Sequence, residues 1–331
     1  MGTAILATAG AALPVRVPDP VLAAVWALSA LALVTLLVAR AAHWLRHTDQ
    51  ARTHLRDPSV APFYGCLSMA LLAVGGGALA AGVPGGLALD AALWSVGTAL
   101  ALVTATAVPY LMVVRHRIEP GSASPVWLLP VVAPMVSAAL GPQLALHLPP
   151  GQPRLAMLLG CFALFGMSLL ATLMILPVVF ARLMHHGAPP PALTPTLFLV
   201  LGPLGQSTTA MGNLADAAPG TFASAAVLYG VPVTGFALLW LALATAMVVR
   251  AARAGMGFAM TWWAFTFPVG TCVTGAASLA RHTGLAALGW LALALYVALV
   301  LAWCAACAGT VRGLVTGALL AAPRPAERAP R

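Results

Sequence analysis

The sequence predicts an all-α integral membrane protein, because it is very apolar, carries few charges and is built from long hydrophobic runs. Hydrophobic residues make up 61% of the 331 residues and charged residues only 7%, whereas soluble domains have roughly 25% charged residues. A run of about 20 apolar residues can cross a bilayer as a helix, which satisfies its own backbone hydrogen bonds. This composition excludes a cytoplasmic enzyme, a secreted disulfide scaffold and a disordered chain.

Ten hydrophobic segments follow one another, and each is predicted to be a transmembrane helix. Their connections are short, as at 83–86 and 148–153, so neighbouring helices are expected to form antiparallel hairpins. Residues 1–317 are expected to form this membrane domain, and residues 318–331 a short, basic and disordered cytoplasmic tail. The segments cover residues 1–14, 20–40, 62–83, 89–114, 125–147, 154–181, 195–216, 221–250, 257–280 and 284–309.

The first segment is short for a membrane span. Fourteen helical residues rise about 21 Å, against a hydrocarbon core of about 30 Å. This length predicts either a first helix that is truncated at its cytoplasmic end or coding sequence that is missing upstream of Met1.

The arginines set the predicted orientation. All 16 residues counted as Lys or Arg are arginines, and with a cytoplasmic N-terminus 13 of them fall in inner loops or the tail. Cytoplasmic loops of helical membrane proteins carry such an excess of basic residues. A multi-pass protein of the cell membrane with both termini in the cytoplasm is therefore predicted. The net charge of +9 forms no patch that would indicate nucleic-acid binding. The three outer arginines are Arg16, Arg154 and Arg281.

The sequence contains no set of residues that indicates an enzyme, a cofactor or a metal site. No Asp, Glu or Arg lies at mid-depth in a predicted span, and the eight histidines lie near loops. Proton-coupled carriers and intramembrane metalloenzymes usually keep ionisable residues inside the membrane. Cys304 and Cys307 match a redox W-C-x-x-C but lie in an apolar run and not after a strand, which favours two inert thiols.

Proline and small polar residues cluster in the middle of three predicted spans that share one orientation. Segment 5 contains WLLPVVAP, segment 7 contains GPLGQSTT and segment 9 contains AFTFPVG. Proline frees backbone carbonyls and bends a membrane helix, and it is tolerated where neighbours or water satisfy the backbone. Helix packing alone explains scattered glycines, but a substrate path explains the repeated proline better. The residues predicted to line or gate this path, beside the phenylalanine considered below, are Gly75, Pro134, Gln206, Ser207, Thr266 and Pro268.

Several stretches carry a resemblance that covers essentially the whole chain. LGPLGQSTTAMGNLA at 201–215, TWWAFTFPVGTCVTG at 261–275 and SPVWLLPVVAPMVSAALG at 124–141 resemble the tellurite-resistance/dicarboxylate transporter family. Plant guard-cell slow anion channels and fungal malate and sulfite transporters belong to this family. The resemblance implies five helical hairpins with the odd-numbered helices around a central pore, a homotrimer, and a phenylalanine that occludes the pore. The matching residue is Phe267.

The rise of an α-helix agrees with this gate position. If the ninth helix starts near Gly257, Phe267 lies about 15 Å along it, half of the hydrocarbon thickness. Gly75, Pro134 and Gln206 are expected at comparable depths.

The predicted function is passage of small inorganic or organic anions through a central pore, without a cofactor. A neutral pore selects anions by helix dipoles, hydroxyl and amide donors and a positive overall potential. One alternative is a secondary carrier that exports or imports C4-dicarboxylate or sulfite. The others are a membrane-embedded enzyme and a structural or oxyanion-resistance role without transport.

Overall fold

The computed structural model describes residues 1–119 and 121–319, and all regular structure in these residues is helical. Each of the ten predicted segments contains one α-helix, so the predicted all-α class is confirmed. Most of the predicted tail 318–331 lies outside the described residues. The helices are α1 (Ala4–Ala12), α2 (Asp19–Arg46), α3 (Thr48–Arg56), α4 (Gly65–Ala80), α5 (Gly86–Val114), α6 (Leu128–Ala145), α7 (Gln152–His186), α8 (Leu201–Ala217), α9 (Pro219–Arg253), α10 (Phe267–Thr283) and α11 (Ala286–Val315).

Seven helical segments in the described residues are long and apolar enough to span a membrane, where the sequence predicted ten. The other three predicted spans contain α1, α8 and α10. α1 has nine residues, and α8 and α10 have seventeen each, which rise about 14 Å and about 26 Å. Hydroxyl and amide side chains also lower the hydropathy of α8 and α10. The ten-span topology therefore stays a prediction.

In the described residues, four α-helices are preceded by a 3₁₀ turn, which runs directly into the helix in three of them and is separated from α10 by Thr266. Prolines explain much of this, because proline lacks an N–H and disfavours the α conformation of the residue before it. The turns differ in burial: those before α6 and α8 are mostly buried, whereas the turn before α10 has no buried residue. They are Ala61–Tyr64 before α4, Pro125–Trp127 before α6, Pro191–Val200 before α8 and Met260–Phe265 before α10.

The helices form an inner set that an outer set encloses. α1, α4, α6, α8 and α10 contact one another in a closed cycle, and α2, α5, α7, α9 and α11 pack outside it. Of the most apolar stretch in Pro125–Ala145, 89% is buried, against 11% in α2. The exposed side chains of α2 include Leu31, Leu36 and Val38, each more than half exposed. Such an outer surface is suited to lipid.

Three consecutive glycines, Gly75–Gly77, allow α4 to approach three neighbours at once. Successive residues of an α-helix point about 100° apart, so a Cβ atom on each glycine would meet a different helix. In chain order, the nearest atoms belong to Asp90 of α5 at 2.7 Å, Leu140 of α6 at 2.8 Å and Trp26 of α2 at 3.2 Å. Close packing on all three sides therefore depends on the missing side chains.

α3 is a helix in a stretch that the sequence predicted as a loop. Its nine residues bury Ala51, half-bury Leu55 and expose most of the polar side chains. A helix this short is marginal on its own, so α3 depends on docking against the rest of the protein. That dependence explains why hydrophobic periodicity did not predict it.

Candidate functional site

Phe267 is the first residue of α10 and directly follows an interruption of the α-helix. A 3₁₀ turn ends at Phe265, and the residues just before Met260 are not helical. The predicted continuous helix from Gly257 is therefore wrong, and a depth calculated from its α-helical rise does not apply. Pro268 occupies the second position of α10, where its missing N–H costs no intrahelical bond. The sequence predicted that Pro268 bends a continuous helix, whereas the residue lies at the start of α10.

The side chain of Phe267 lies between the contacts that α10 makes with two inner helices. On one side, Gly270 packs directly against Ile5 of α1. On the other side, a Cβ atom on Gly205 of α8 would lie 2.6 Å from the Thr271 hydroxyl. At about 100° per residue, Phe267 points about 60° from Gly270 and about 40° from Thr271. Its ring therefore faces the inside of the cycle of helices, where it is 4% exposed.

A pair of threonine hydroxyls lies on the same inner face. Thr274 follows Phe267 by seven residues, about two turns, and its oxygen is 2.7 Å from that of Thr209 on α8. Each hydroxyl is also within hydrogen-bond distance of a carbonyl of its own helix, that of Gly205 at 3.0 Å and that of Thr271 at 2.9 Å. Two protons cannot satisfy three hydrogen bonds at once. Both protons are therefore engaged in hydrogen bonds, and turning one of them toward an anion breaks a neutral hydrogen bond.

An open space adjoins α8 on the face that carries Thr209. Gly202 lies seven residues before Thr209 and is buried, yet a Cβ atom there would meet no atom of the described residues within 4 Å. Because protein interiors are close-packed, this space is an internal void. The hydroxyl oxygen of Thr271 lies 3.4 Å from the Gly202 carbonyl oxygen. The void and the threonine pair thus lie on one side of α8.

Two predicted path residues, Gln206 and Ser207, are buried neutral groups of α8. Gln206 is 4% exposed, and its Oε1 has no hydrogen-bond partner among the described residues. Ser207 donates to the Leu204 carbonyl at 3.0 Å. Gln206 therefore holds an unpaired amide oxygen, which can only accept a hydrogen bond, whereas Ser207 is engaged within its own helix.

Two further path residues, Gly75 and Pro134, are placed against outer helices. Gly75 packs against α5 at Asp90. Pro134 shares a face of α6 with Gly141, seven residues on, and a Cβ atom on Gly141 would lie 3.0 Å from Trp94 of α5. The structure therefore places Gly75 in a contact between an inner and an outer helix, and helical register puts Pro134 on the face of α6 that lies toward α5.

Thr266 is placed against α1. Its side chain is fully buried, donates to the Trp263 carbonyl at 2.7 Å and packs on Gly2. The inner face of α8 and α10 instead joins Phe267 to Gly202, Thr209 and Thr274, which belong to the mid-span runs of small and polar residues but were not among the residues predicted to gate the path. Their spacing of seven residues on each helix was the signal that could have identified them.

Asp90 is a buried ionisable residue that the sequence placed simply at an outer end. It is the fifth residue of α5, about 6 Å from the helix start, and only 1% exposed. Neither carboxyl oxygen has a hydrogen-bond partner in the described part of the chain. Ionisable groups inside membrane helices are rare and often functional. The apolar surroundings LALDAAL were the signal in the sequence.

The two cysteines of the redox look-alike lie inside a regular helix. Cys304 and Cys307 belong to α11, and both thiols are free. Across residues 1–119 and 121–319, no group of three or more His, Cys, Asp or Glu side chains is arranged to hold a metal ion.

The fold and this site define an integral membrane protein whose inner helices enclose a phenylalanine, neutral hydroxyl and amide groups and a void. The chain belongs to the family described as SLAC1, voltage-dependent anion channel, whose sequence profile matches residues 1–311. The predicted relationship to the family that includes the slow anion channels is therefore confirmed.

Curated relatives point to transport. The sulfite efflux pump SSU1 of Trichophyton rubrum is 29% identical over 204 residues, which cover 57% of this chain and 54% of that protein. An uncharacterized transporter of Methanocaldococcus jannaschii is 25% identical over 276 residues, which cover 83% of this chain and 79% of the relative. The match thus spans about half the length of the sulfite efflux pump.

Proposed function

We propose that this protein carries small anions across the cell membrane along a path enclosed by α1, α4, α6, α8 and α10. The inner face shared by Phe267 and the Thr209–Thr274 pair carries this proposal, since it combines an occluding ring with neutral donors beside a void. Membership in an anion-channel family supports the same conclusion. Hydroxyl and amide donors bind anions weakly enough to release them, which conduction requires. The net charge of +9 adds a favourable potential.

Ten spans arranged as five hairpins, with both termini in the cytoplasm, form the topology of this proposal. The 13 arginines assigned to the inner side and the closed cycle of inner helices support it. A C-terminal reporter that is active only in the cytoplasm is the expected result, and activity only outside the cell would contradict it. The protomers are further proposed to form a homotrimer. Light scattering of the purified protein in detergent would give three protomers, and a monomer would argue against the trimer.

Phe267 is proposed to gate the path, and Phe265 provides a matched control. Phe265 is half-buried and packs edge-to-face on Phe198, with ring centroids 4.8 Å apart, so Phe265→Ala loses an aromatic contact worth about 0.5–1.5 kcal/mol beyond the burial of its area. Phe267→Ala instead removes a ring that faces the inside of the bundle. We expect Phe267→Ala to raise anion conductance per molecule in proteoliposomes, and Phe265→Ala to lower thermal stability without this gain. An unstable Phe267→Ala protein with unchanged conductance would refute the gate.

A coupled carrier of sulfite or C4-dicarboxylate is the second candidate. The sulfite efflux activity for which a relative is named favours it, as does the buried carboxyl of Asp90, which is the type of residue that proton-coupled carriers use. Flux of chloride, sulfite and succinate into proteoliposomes separates the two functions. Flux that rises linearly with concentration supports the channel, and saturable flux that depends on a proton gradient supports the carrier.

A further inference from the structure

α3 connects the ends of three longer helices. The hydroxyl of Tyr64, in the turn that leads into α4, lies 3.5 Å from the Ala51 carbonyl of α3 and accepts a hydrogen bond from Arg40 of α2. After the end of α5, Nε2 of His116 lies 3.0 Å from the Leu55 carbonyl and therefore donates to it. A shift of α3 would thus be transmitted to α2, α4 and α5.

A second contact joins α3 to α2. The rings of His54 on α3 and His43 on α2 are stacked, with centroids 5.6 Å apart and planes inclined by 10°. The Arg40 guanidinium lies 4.9 Å from the centroid of the Tyr64 ring and joins α2 to the turn before α4. The histidine stack and the Tyr64 hydroxyl hold one side of α3 against these two elements. The opposite side of α3 is exposed.

The exposed side of α3 is basic. Arg52 and Arg56 are one turn apart and therefore neighbours on the helix surface, and Arg46 at the end of α2 is also exposed. None of the three forms an ion pair within the part of the chain that the structure describes. These guanidinium groups are available to an anionic partner.

The two nearby carboxylates do not neutralise these arginines by direct contact. Asp57 accepts hydrogen bonds from the hydroxyl of Ser59 at 2.6 Å and from its N–H at 2.8 Å, both at Oδ1. These bonds lower the pKa of Asp57 below its ordinary value, and its hydrogen bonds lie within its own turn. Asp49 is exposed and, in the described residues, without an ion-pair partner.

We propose that Arg52 and Arg56, with Arg46, bind the phosphate headgroup of an anionic phospholipid and so hold α3 against Tyr64. Basic residues next to a transmembrane helix or on a short amphipathic helix lie at headgroup level and attract anionic lipids. Arginine matches a phosphate group with two parallel hydrogen bonds. Because Tyr64 precedes α4, a bound headgroup would stabilise the end of the proposed path on this side. This coupling rests on the proposed function, whereas headgroup binding does not.

Thermal unfolding in neutral detergent tests headgroup binding without reference to transport. Added phosphatidylglycerol is expected to raise the unfolding temperature of the wild type more than phosphatidylcholine does, and Arg52→Gln/Arg56→Gln to abolish this difference. Arg250→Gln/Arg253→Gln removes two exposed arginines at the end of α9 and is expected to keep it. An equal response of both double variants would overturn the proposal, as would an equal effect of the two lipids. Inorganic phosphate acting as well as phosphatidylglycerol would also overturn it.

Flux in liposomes tests the coupling to the path. We expect wild-type anion flux to rise with the fraction of phosphatidylglycerol, and Tyr64→Phe to lose this rise while it keeps the lipid-dependent shift in unfolding temperature. Wild-type flux that is equal in both lipids would refute the coupling. Absence of flux in every lipid would instead refute the proposed transport function, and the unfolding experiment would still decide whether the headgroup binds.

Discussion

Two glycines on α8 are predicted to respond in opposite ways to the same substitution by alanine. Gly205 lies against the backbone of α10, where a Cβ atom would be 2.5 Å from the Cys272 nitrogen, whereas Gly202 adjoins open space. Gly205→Ala has to push α8 and α10 apart, because the backbone it meets cannot rotate away. Gly202→Ala adds a methyl group to the void and moves nothing.

The expected magnitudes follow from these contacts. At Gly205 the helices must separate by about 0.9 Å to bring 2.5 Å to the 3.4 Å of ordinary contact, and such overpacking costs about 1–3 kcal/mol. The separation also lengthens the 2.7 Å contact between Thr209 and Thr274, whose loss costs about 0.5–1.5 kcal/mol. At either site, alanine favours the helix by about 1 kcal/mol relative to glycine. Gly205→Ala should therefore lose about 1–3 kcal/mol, and Gly202→Ala should gain about 1 kcal/mol.

Thermal unfolding of both purified variants in one detergent, followed by tryptophan fluorescence, measures the difference. In soluble domains of 150–250 residues, 1 kcal/mol shifts the unfolding temperature by about 2–4 °C, so shifts of a few degrees and opposite sign are expected. Gly202→Ala should also reduce anion flux per molecule, since the methyl group narrows the void. A Gly205→Ala protein as stable as the wild type would refute the close approach of α8 and α10. Early unfolding of Gly202→Ala would refute the void.

Three further substitutions test other contacts. Asn213→Leu removes a hydrogen-bond donor that lies 2.7 Å from the Ala139 carbonyl of α6. We expect the free energy of unfolding to fall by about 1–3 kcal/mol. An unchanged midpoint of chemical denaturation would contradict this contact. Asp90→Asn replaces a carboxyl that has no hydrogen-bond partner in the described part of the chain by a neutral amide of the same shape, so the variant should unfold no earlier than the wild type. Clear destabilisation on heating would show that the acid itself is needed. Cys304→Ala/Cys307→Ala should retain full flux, because two free thiols in a helix make little packing; complete loss of flux in a folded double variant would revive a redox role.

Long apolar runs made the positions of ten helices predictable, since each run is bounded by proline, glycine or arginine. The interruptions inside those runs were not predictable from hydropathy. Residues 257–266 are as apolar as a helix, yet they form an irregular stretch and a 3₁₀ turn before Phe267. Pro268 was noticed, but its position at the start of a helix depends on where the preceding turn ends.

The role of the candidate site stays a prediction. The motif around Phe267 singled out a residue that the structure turns inward, and the polar run of α8 lies on a neighbouring inner helix. The directions of individual side chains were not predicted, because depth along a helix does not show toward which neighbouring helix a side chain points. Gly75 and Pro134 face outer helices, whereas Thr274 faces inward. Direction follows from neighbouring helices, which a single sequence does not reveal.

The glycine triplet of α4 has a consequence for genetics. Residues 75–77 are encoded by adjacent codons, but each packs at a different interface. A second mutation that compensates for a substitution at one of them therefore cannot compensate for a substitution at the next. Restoring a protein with Gly76→Ala requires a smaller residue at Leu140, while Gly77→Ala requires room at Trp26, and Gly75→Ala requires room on α5. Suppressors of the three lesions will fall in three different parts of the gene. Each set will map one face of α4 without any structure.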